Sequence, residues 1–128
     1  MKTQSPIKSY RDLEVWRLGM ELAEQVYRLT RLLPKEEQYR MTSQLIRAAT
    51  SVPANIAEGH MRSTRKDYSN FVSIARGSLA ETETFLELAQ RLGLAPKEQV
   101  EPILKLADGL GKRLTRLKQK LANSSADA

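Results

Sequence analysis

The chain of 128 residues contains no cysteine. That excludes disulfides, thiolate metal sites and cysteine nucleophiles, and it is compatible with a reducing compartment. There is one histidine, His60, and nothing around it reads as the strand–turn–helix elbow of a serine nucleophile. The Glu-x-x-His pairs of di-iron bundles are missing. Glu81, Glu83 and Glu87 are the nearest thing to a carboxylate cluster, and Glu83 and Glu87, four apart, read as a mildly unfavourable solvated pair. The six glycines are scattered, so no phosphate-cradling loop exists. Aromatic residues make up 5% of the chain, and none is interleaved with the basic clusters, which argues against base stacking. No apolar run approaches the roughly 18 residues of a membrane span, and the polar N-terminus lacks the apolar core of a signal peptide. These absences lead to the expectation of a cytoplasmic protein that is not an enzyme and needs neither metal nor cofactor.

What is present is a basic, helical pattern. Lysine and arginine number 21 against 15 acidic residues, a net charge of +6. Such a balance suits a nucleic-acid binder but also many merely soluble proteins. Only residues 67–94 carry an acidic excess.

Residues 1–10 read as a flexible arm and residues 123–128 as a disordered tail, leaving 11–122 for one domain. Helical periodicity begins near Asp12, a plausible N-cap. Val15, Leu18, Leu22, Val26, Leu29 and Leu33 recur at steps of three and four. A second apolar strip, Trp16, Met20, Ala23 and Tyr27, lies about 100° round from the first. The combined arc is wider than one partner face requires, and Pro34 ends the helix.

The second helix is expected from about Glu36 to His60. Met41, Leu45, Ala48, Ala49, Val52, Ile56 and Gly59 form its apolar arc. Arg40, Gln44, Arg47, Ser51, Asn55, Glu58 and Arg62 form a polar stripe opposite. Pro53 removes one backbone hydrogen bond; the pattern resumes in phase after it, which favours a kink over a division into two short helices. Ser63 or Thr64 caps the third helix, expected from Arg65 to Leu92, with Tyr68, Phe71, Val72, Ala75, Leu79, Thr82, Leu86 and Ala89 facing the core. Ser73, Gly77, Ala80 and Thr84 make a strip of small residues. Close approach of another helix is the natural compensation for a mid-helix glycine. Gly93 ends this helix and Pro96 opens the fourth. The fourth presents Val100, Ile103, Leu104, Ala107, Leu110, Leu114, Leu117 and Leu121 to the core up to about Ala122. Pro102 marks a delayed start or a kink. No strand alternation occurs. The expected fold is all-α, an up-down-up-down antiparallel four-helix bundle.

Three features bear on function. The polar stripe of the second helix is either a solvated face or a subunit interface, with Glu58 pairing to arginine in its own chain or a neighbour. The wide arc of the first helix is difficult to hide within four helices, and assembly of copies into a ring would cover it. The candidate interface residues are Trp16, Met20, Tyr27, Arg47, Asn55, Glu58, Ser73, Gly77 and Glu81. The basic residues form two clusters, Arg62, Arg65 and Lys66 in the turn, and Lys112, Arg113, Arg116 and Lys120 in the fourth helix. In an up-down bundle these share one end and make a basic rim suited to phosphate. The bland alternative is that they neutralise helix C-termini, and a protein-recruiting scaffold is the competing function.

The segments Leu13–Trp16, Tyr27, Leu33–Glu37, Gln44–Ala49, Ser51–Gly59, Arg62 and Ala75–Glu81 carry a resemblance. With SVPANIAEG and ARGSLAE as its most specific parts, the chain resembles, over about residues 9–121, the four-helix-bundle proteins encoded in intervening sequences of bacterial 23S ribosomal RNA genes. The resemblance implies a homopentameric, barrel-like ring. A related branch is the accessory protein of diversity-generating retroelements, a basic pentamer that binds nucleic acid and a reverse transcriptase; the intervening-sequence branch has no settled activity. Asn55, Glu58, Arg62, Gly77, Ser78 and Glu81 would be family motif positions without assigned roles. The partners so implied are further copies of the chain, structured RNA or DNA, or another protein.

Overall fold

The computed structural model describes residues 6–124. Four α-helices make up nearly all of it: α1 (Glu14–Thr30), α2 (Ser43–His60), α3 (Arg65–Arg91) and α4 (Lys97–Ser124). There is no strand among the described residues. Sequential helices pack on one another, and α1 also packs on α4, so each helix has two neighbours around a shared core. That core is the set of stripes read from the periodicity: Leu22, Val26, Leu45, Val52, Ile56, Val72, Leu86, Val100, Leu110 and Leu114 have no measurable exposure. Burying a side chain of this size is worth about 1.5–3 kcal/mol, and the i, i+3, i+4 spacing repeats that gain along one face of every helix. The buried polar residues among them are Ser78 and Thr82, and the Thr82 hydroxyl donates to the Ser78 carbonyl at 2.8 Å. No buried polar side-chain atom among the described residues lacks a partner.

The start of the chain departs from expectation. Asp12 does not cap α1. It closes a short 3-10 turn (Tyr10–Asp12), its carboxylate accepting from the Lys8 and Ser9 amides at 2.8 and 3.3 Å, while the Ser9 hydroxyl accepts from Arg11. A capping box therefore sits one turn upstream of α1, whose own N-cap is Leu13, with no side-chain bond. The expected arm over residues 1–10 thus includes Ser9 and Tyr10 of this turn, and Tyr10 packs edge-on against Trp16 at 5.3 Å between ring centroids. Residues 1–5 and 125–128 lie outside the described residues; α4 continues to Ser124.

The expected single helix from Glu36 is also broken, though not at proline. A 3-10 turn (Lys35–Glu37) leads into a π-helical turn (Gln38–Thr42), and Arg40 leaves helical geometry at φ −117°, ψ −107°. Continuous α-helix starts only at Ser43 and runs unbroken through Pro53 to His60. Pro53 is buried and faces α1 at Gly19, where an added Cβ would stand 3.3 Å from the proline ring. The proline is thus a contact surface within α2. Around it Thr50, Ser51 and Asn55 return hydrogen bonds to carbonyls one turn back, at 2.8 Å each.

Thr64 caps α3, its hydroxyl accepting from the Asp67 amide at 3.1 Å. The other end of α3 finishes in a Schellman motif: Leu94 donates to the Ala89 carbonyl, Gly93 to the Gln90 carbonyl, and Gly93 takes φ +73°. Pro96 stands just before α4, its carbonyl accepting from Gln99 and Val100. Pro102 lies inside α4 without dividing it.

The close helix approach occurs at a different glycine from the one expected. A Cβ on Gly59 would lie 2.7 Å from the Phe71 Cβ and 3.3 Å from the Tyr68 carbonyl, so α2 and α3 cross at van der Waals contact there. At Gly77 a Cβ would meet nothing within 4 Å. Ser73, Gly77, Ala80 and Thr84 are all exposed, so the small strip of α3 packs on no helix of this chain.

Candidate nucleic-acid interface

The α3–α4 pair places the basic residues. Between the two helices lie two depressions, one walled by Arg65, Lys66, Ser69 and Asn70 of α3 and Leu121 and Ala122 of α4, the other by Arg76 and Glu83 of α3 and Asp108, Gly111, Lys112, Thr115 and Arg116 of α4; in line along the same helix pair, they mark the α3–α4 furrow. The walls interlock where Lys118 donates to the Ser69 hydroxyl at 3.1 Å. Residues 65, 69, 76 and 83 recur at helical spacing on α3, so they form one stripe. Arg65 and Lys66 therefore meet the C-terminal part of α4, while Arg76 meets Lys112 and Arg116 around an open depression of about 500 Å³.

The seven basic candidates divide by partner. Arg62 is tied to Glu58 at 3.0 Å and lies over the Phe71 ring at 4.7 Å. Lys112 pairs with Asp108 at 3.2 Å. Arg113 turns away from the furrow to reach Glu14 of α1 at 2.9 Å. Arg65, Lys66, Arg116 and Lys120 make no ion pair among the described residues and are exposed. Arg113 and Arg116, neighbours late in the fourth helix, belong to one expected cluster, yet three residues round the helix is enough to aim them at different neighbours. Lys118 and Arg76, absent from the expected clusters, lie on the furrow side. Their helical phase relative to Arg65 and Arg116 is the signal that could have found them.

The lower end of the furrow is acidic. Glu83 is half-buried, and burial, then the nearby Asp108 and Glu87 carboxylates, push its pKa upward. The solvated Glu83–Glu87 pair expected from spacing is thus a partly buried cluster that includes a residue of α4. Among the described residues no group of three or more His, Cys, Asp or Glu could hold a metal ion. No helix there is long and apolar enough to cross a membrane.

The candidate interface residues fall on other faces. Trp16 is half-buried, whereas Met20 and Tyr27 are 40% and 51% exposed. They line an open, mainly apolar groove of about 560 Å³ whose far wall is Pro53, Ala54 and Ala57 of α2. The α2 wall was not foreseen, because its small residues fall between the apolar arc and the polar stripe. On the stripe itself, Arg47 donates to the Gln44 side chain, Asn55 to the Ser51 carbonyl, and Glu58 takes Arg62 of its own chain. Ser73, Gly77 and Glu81 are exposed on α3. His60 ends α2 half-buried and edge-on to Tyr68 at 5.7 Å, and burial raises the pKa of the Tyr68 phenol.

Comparison with known proteins places this arrangement among relatives. The family model described as 23S rRNA-intervening sequence protein matches residues 11–116. A crystal structure of a protein of unknown function from the S23 ribosomal protein family of Bacteroides thetaiotaomicron is similar at 30% identity, with a TM-score of 0.76 over 81% of this chain and 97% of that one. A search of curated proteins gives no match.

Proposed function

The chain belongs to the 23S rRNA-intervening sequence protein family, and on that premise we propose that it is a non-enzymatic, oligomeric four-helix bundle of the cytoplasm that binds structured nucleic acid through basic side chains. The observation that carries the reading is that three cations without ion-pair partners, Arg65, Lys66 and Arg116, lie with Arg76 and Lys118 on the α3–α4 side. Unpaired cations on one side of a protein release the counterions of a phosphate backbone when they bind it, so affinity falls steeply with salt. An up-down-up-down order is supported by the pairing of Ser69 with Lys118 and Leu79 with Gly111, which advance in opposite directions along α3 and α4. The test is a filter-binding titration of a folded RNA hairpin and a DNA duplex over rising salt. A log–log slope near zero, or no binding at low salt, refutes the reading.

The apolar α1–α2 groove supports a second element, a homopentameric ring in which Trp16, Met20 and Tyr27 meet a neighbouring copy. Light scattering should give a multiple of 14.5 kDa, and Trp16→Glu should reduce it by placing a charge in an apolar contact. A monomeric mass for the natural chain refutes the ring. The same exposed groove favours, as the alternative function, a scaffold for another protein; a stoichiometric partner recovered after nuclease treatment would support that over nucleic acid.

A further inference from the structure

The α3–α4 furrow is basic at one end and acidic at the other. From Arg65 to Arg76 it spans about 16 Å at 1.5 Å per helical residue, roughly half a turn of a nucleic-acid duplex. Over that length the charged side chains named on its walls are Arg65, Lys66, Arg76, Lys112 and Arg116. Lys118 stands at the seam beside Ser69. Beyond Arg76 the walls become Glu83 and Asp108, with Glu87 close enough to act on Glu83, and Asp108 holds Lys112 at 3.2 Å. No aromatic residue lines either part of the furrow. The exposed phenol of Tyr27 lies in the α1–α2 groove, and the Phe71 ring is covered by Arg62.

We infer that this furrow receives one sugar–phosphate strand of a double-stranded nucleic acid, seated on Arg65, Lys66, Arg76 and Arg116 and ending where Glu83 and Asp108 begin. The inference rests on the nucleic-acid reading above and deepens it by naming the face, the form of the ligand and the limit of the contact. Single strands gain affinity by stacking bases on aromatic rings, and this site has none to offer. A duplex keeps its bases stacked on each other and presents only phosphates, which is what fixed cations on two rigid helices can meet. The acidic end repels the continuing strand, and Asp108 withholds Lys112 from it. Contact is thereby confined to a short length per subunit.

The probes are a 20-base-pair RNA duplex, a DNA duplex of the same length, and an unstructured 20-nucleotide single strand, each titrated against the full chain across a salt series. The protein should bind a duplex at least about tenfold more tightly than the single strand, and the duplex bound more tightly identifies RNA or DNA as the source of the phosphates. Arg76→Ala with Arg116→Ala should lower the magnitude of the salt slope by about 2, since each phosphate contact contributes about 0.9. Lys66→Ala should lower it by about 1. Glu83→Gln with Asp108→Asn should tighten duplex binding several-fold and steepen the slope, because Lys112 is released. Arg76, Arg116 and Lys66 are exposed, so an unchanged thermal melt is expected and serves as the folding control. Failure of the natural chain to bind any probe overturns the nucleic-acid reading itself. Binding that is unmoved by the furrow substitutions, or equal for single strand and duplex, leaves that reading standing and overturns this one.

Discussion

Replacing glycine by alanine at positions 59 and 77 should move stability in opposite directions. Both residues lie inside helices, Gly59 in α2 and Gly77 in α3. Each substitution removes the same helix-propensity penalty, about 1 kcal/mol. At Gly77 the new methyl meets nothing within 4 Å, so the whole gain is kept. That should raise the melting temperature by about 3–5 °C for a domain of this size. At Gly59 the methyl would stand 2.7 Å from the Phe71 Cβ and 3.1 Å from the Tyr68 ring. The Tyr68 carbonyl, 3.3 Å away, is backbone and cannot rotate aside. Overpacking of this kind costs about 1–3 kcal/mol, so the net change should be a loss of up to about 2 kcal/mol. Urea denaturation followed by circular dichroism measures both, at two protein concentrations because association adds concentration-dependent stability. Gly59→Ala more stable than the natural chain by the full gain of about 1 kcal/mol would refute the close α2–α3 crossing. Gly77→Ala less stable at both concentrations would refute the open surroundings of that position. A loss present only at the higher concentration would instead place Gly77 in a contact between copies.

Leu86→Ala should cost about 2–5 kcal/mol, because Leu86 is wholly buried in α3, while Leu88→Ala, 41% exposed on the same helix, should stay within about 0.5 kcal/mol; equal denaturation midpoints for the two would contradict the core assignment. Backbone hydrogen bonds from Lys8 and Ser9, with Arg17 beside them, hold the Asp12 pKa below its ordinary value. The folded-state pKa is then the lower one, so the stabilisation is present above the ordinary carboxylate pKa and is lost as pH falls through the folded value. Asp12→Asn should accordingly be less stable than the natural chain at neutral pH and equal to it in acid, and a pH-independent difference would count against the capping box. Glu83 has the opposite sign: burial, then Asp108 and Glu87, raise its pKa, so its ionisation weakens the fold as pH rises through the folded value. Glu83→Gln should melt higher than the natural chain near neutral pH and lose that advantage in acid; a lower melt at neutral pH would mean that the carboxylate makes a stabilising contact.

Hydrophobic spacing determined the number of helices, their core faces and most of their ends. Those depend on local periodicity and on capping residues such as Thr64 and Gly93, whose effects act within a turn or two. The SVPANIAEG and ARGSLAE segments, by resemblance and not by periodicity, pointed to the family whose model matches residues 11–116. What only the packed structure decided is which surfaces remain open, because that depends on neighbours distant in sequence. Pro53 looked like an irregularity of one helix and Gly59 like one member of its apolar arc; they became the crossing points of α2 with α1 and α3. Gly77 looked like such a crossing and faces outward. Arg113 and Arg116 looked like one cluster, yet Glu14, ninety-nine residues away from Arg113, draws one of them to α1. Arg76, which entered the sequence analysis only as part of the ARGSLAE segment, joins Lys112 and Arg116 because the stripes of α3 and α4 share a register. Charge at a position is written in the sequence; whether that charge is already spent on a partner is set by the fold.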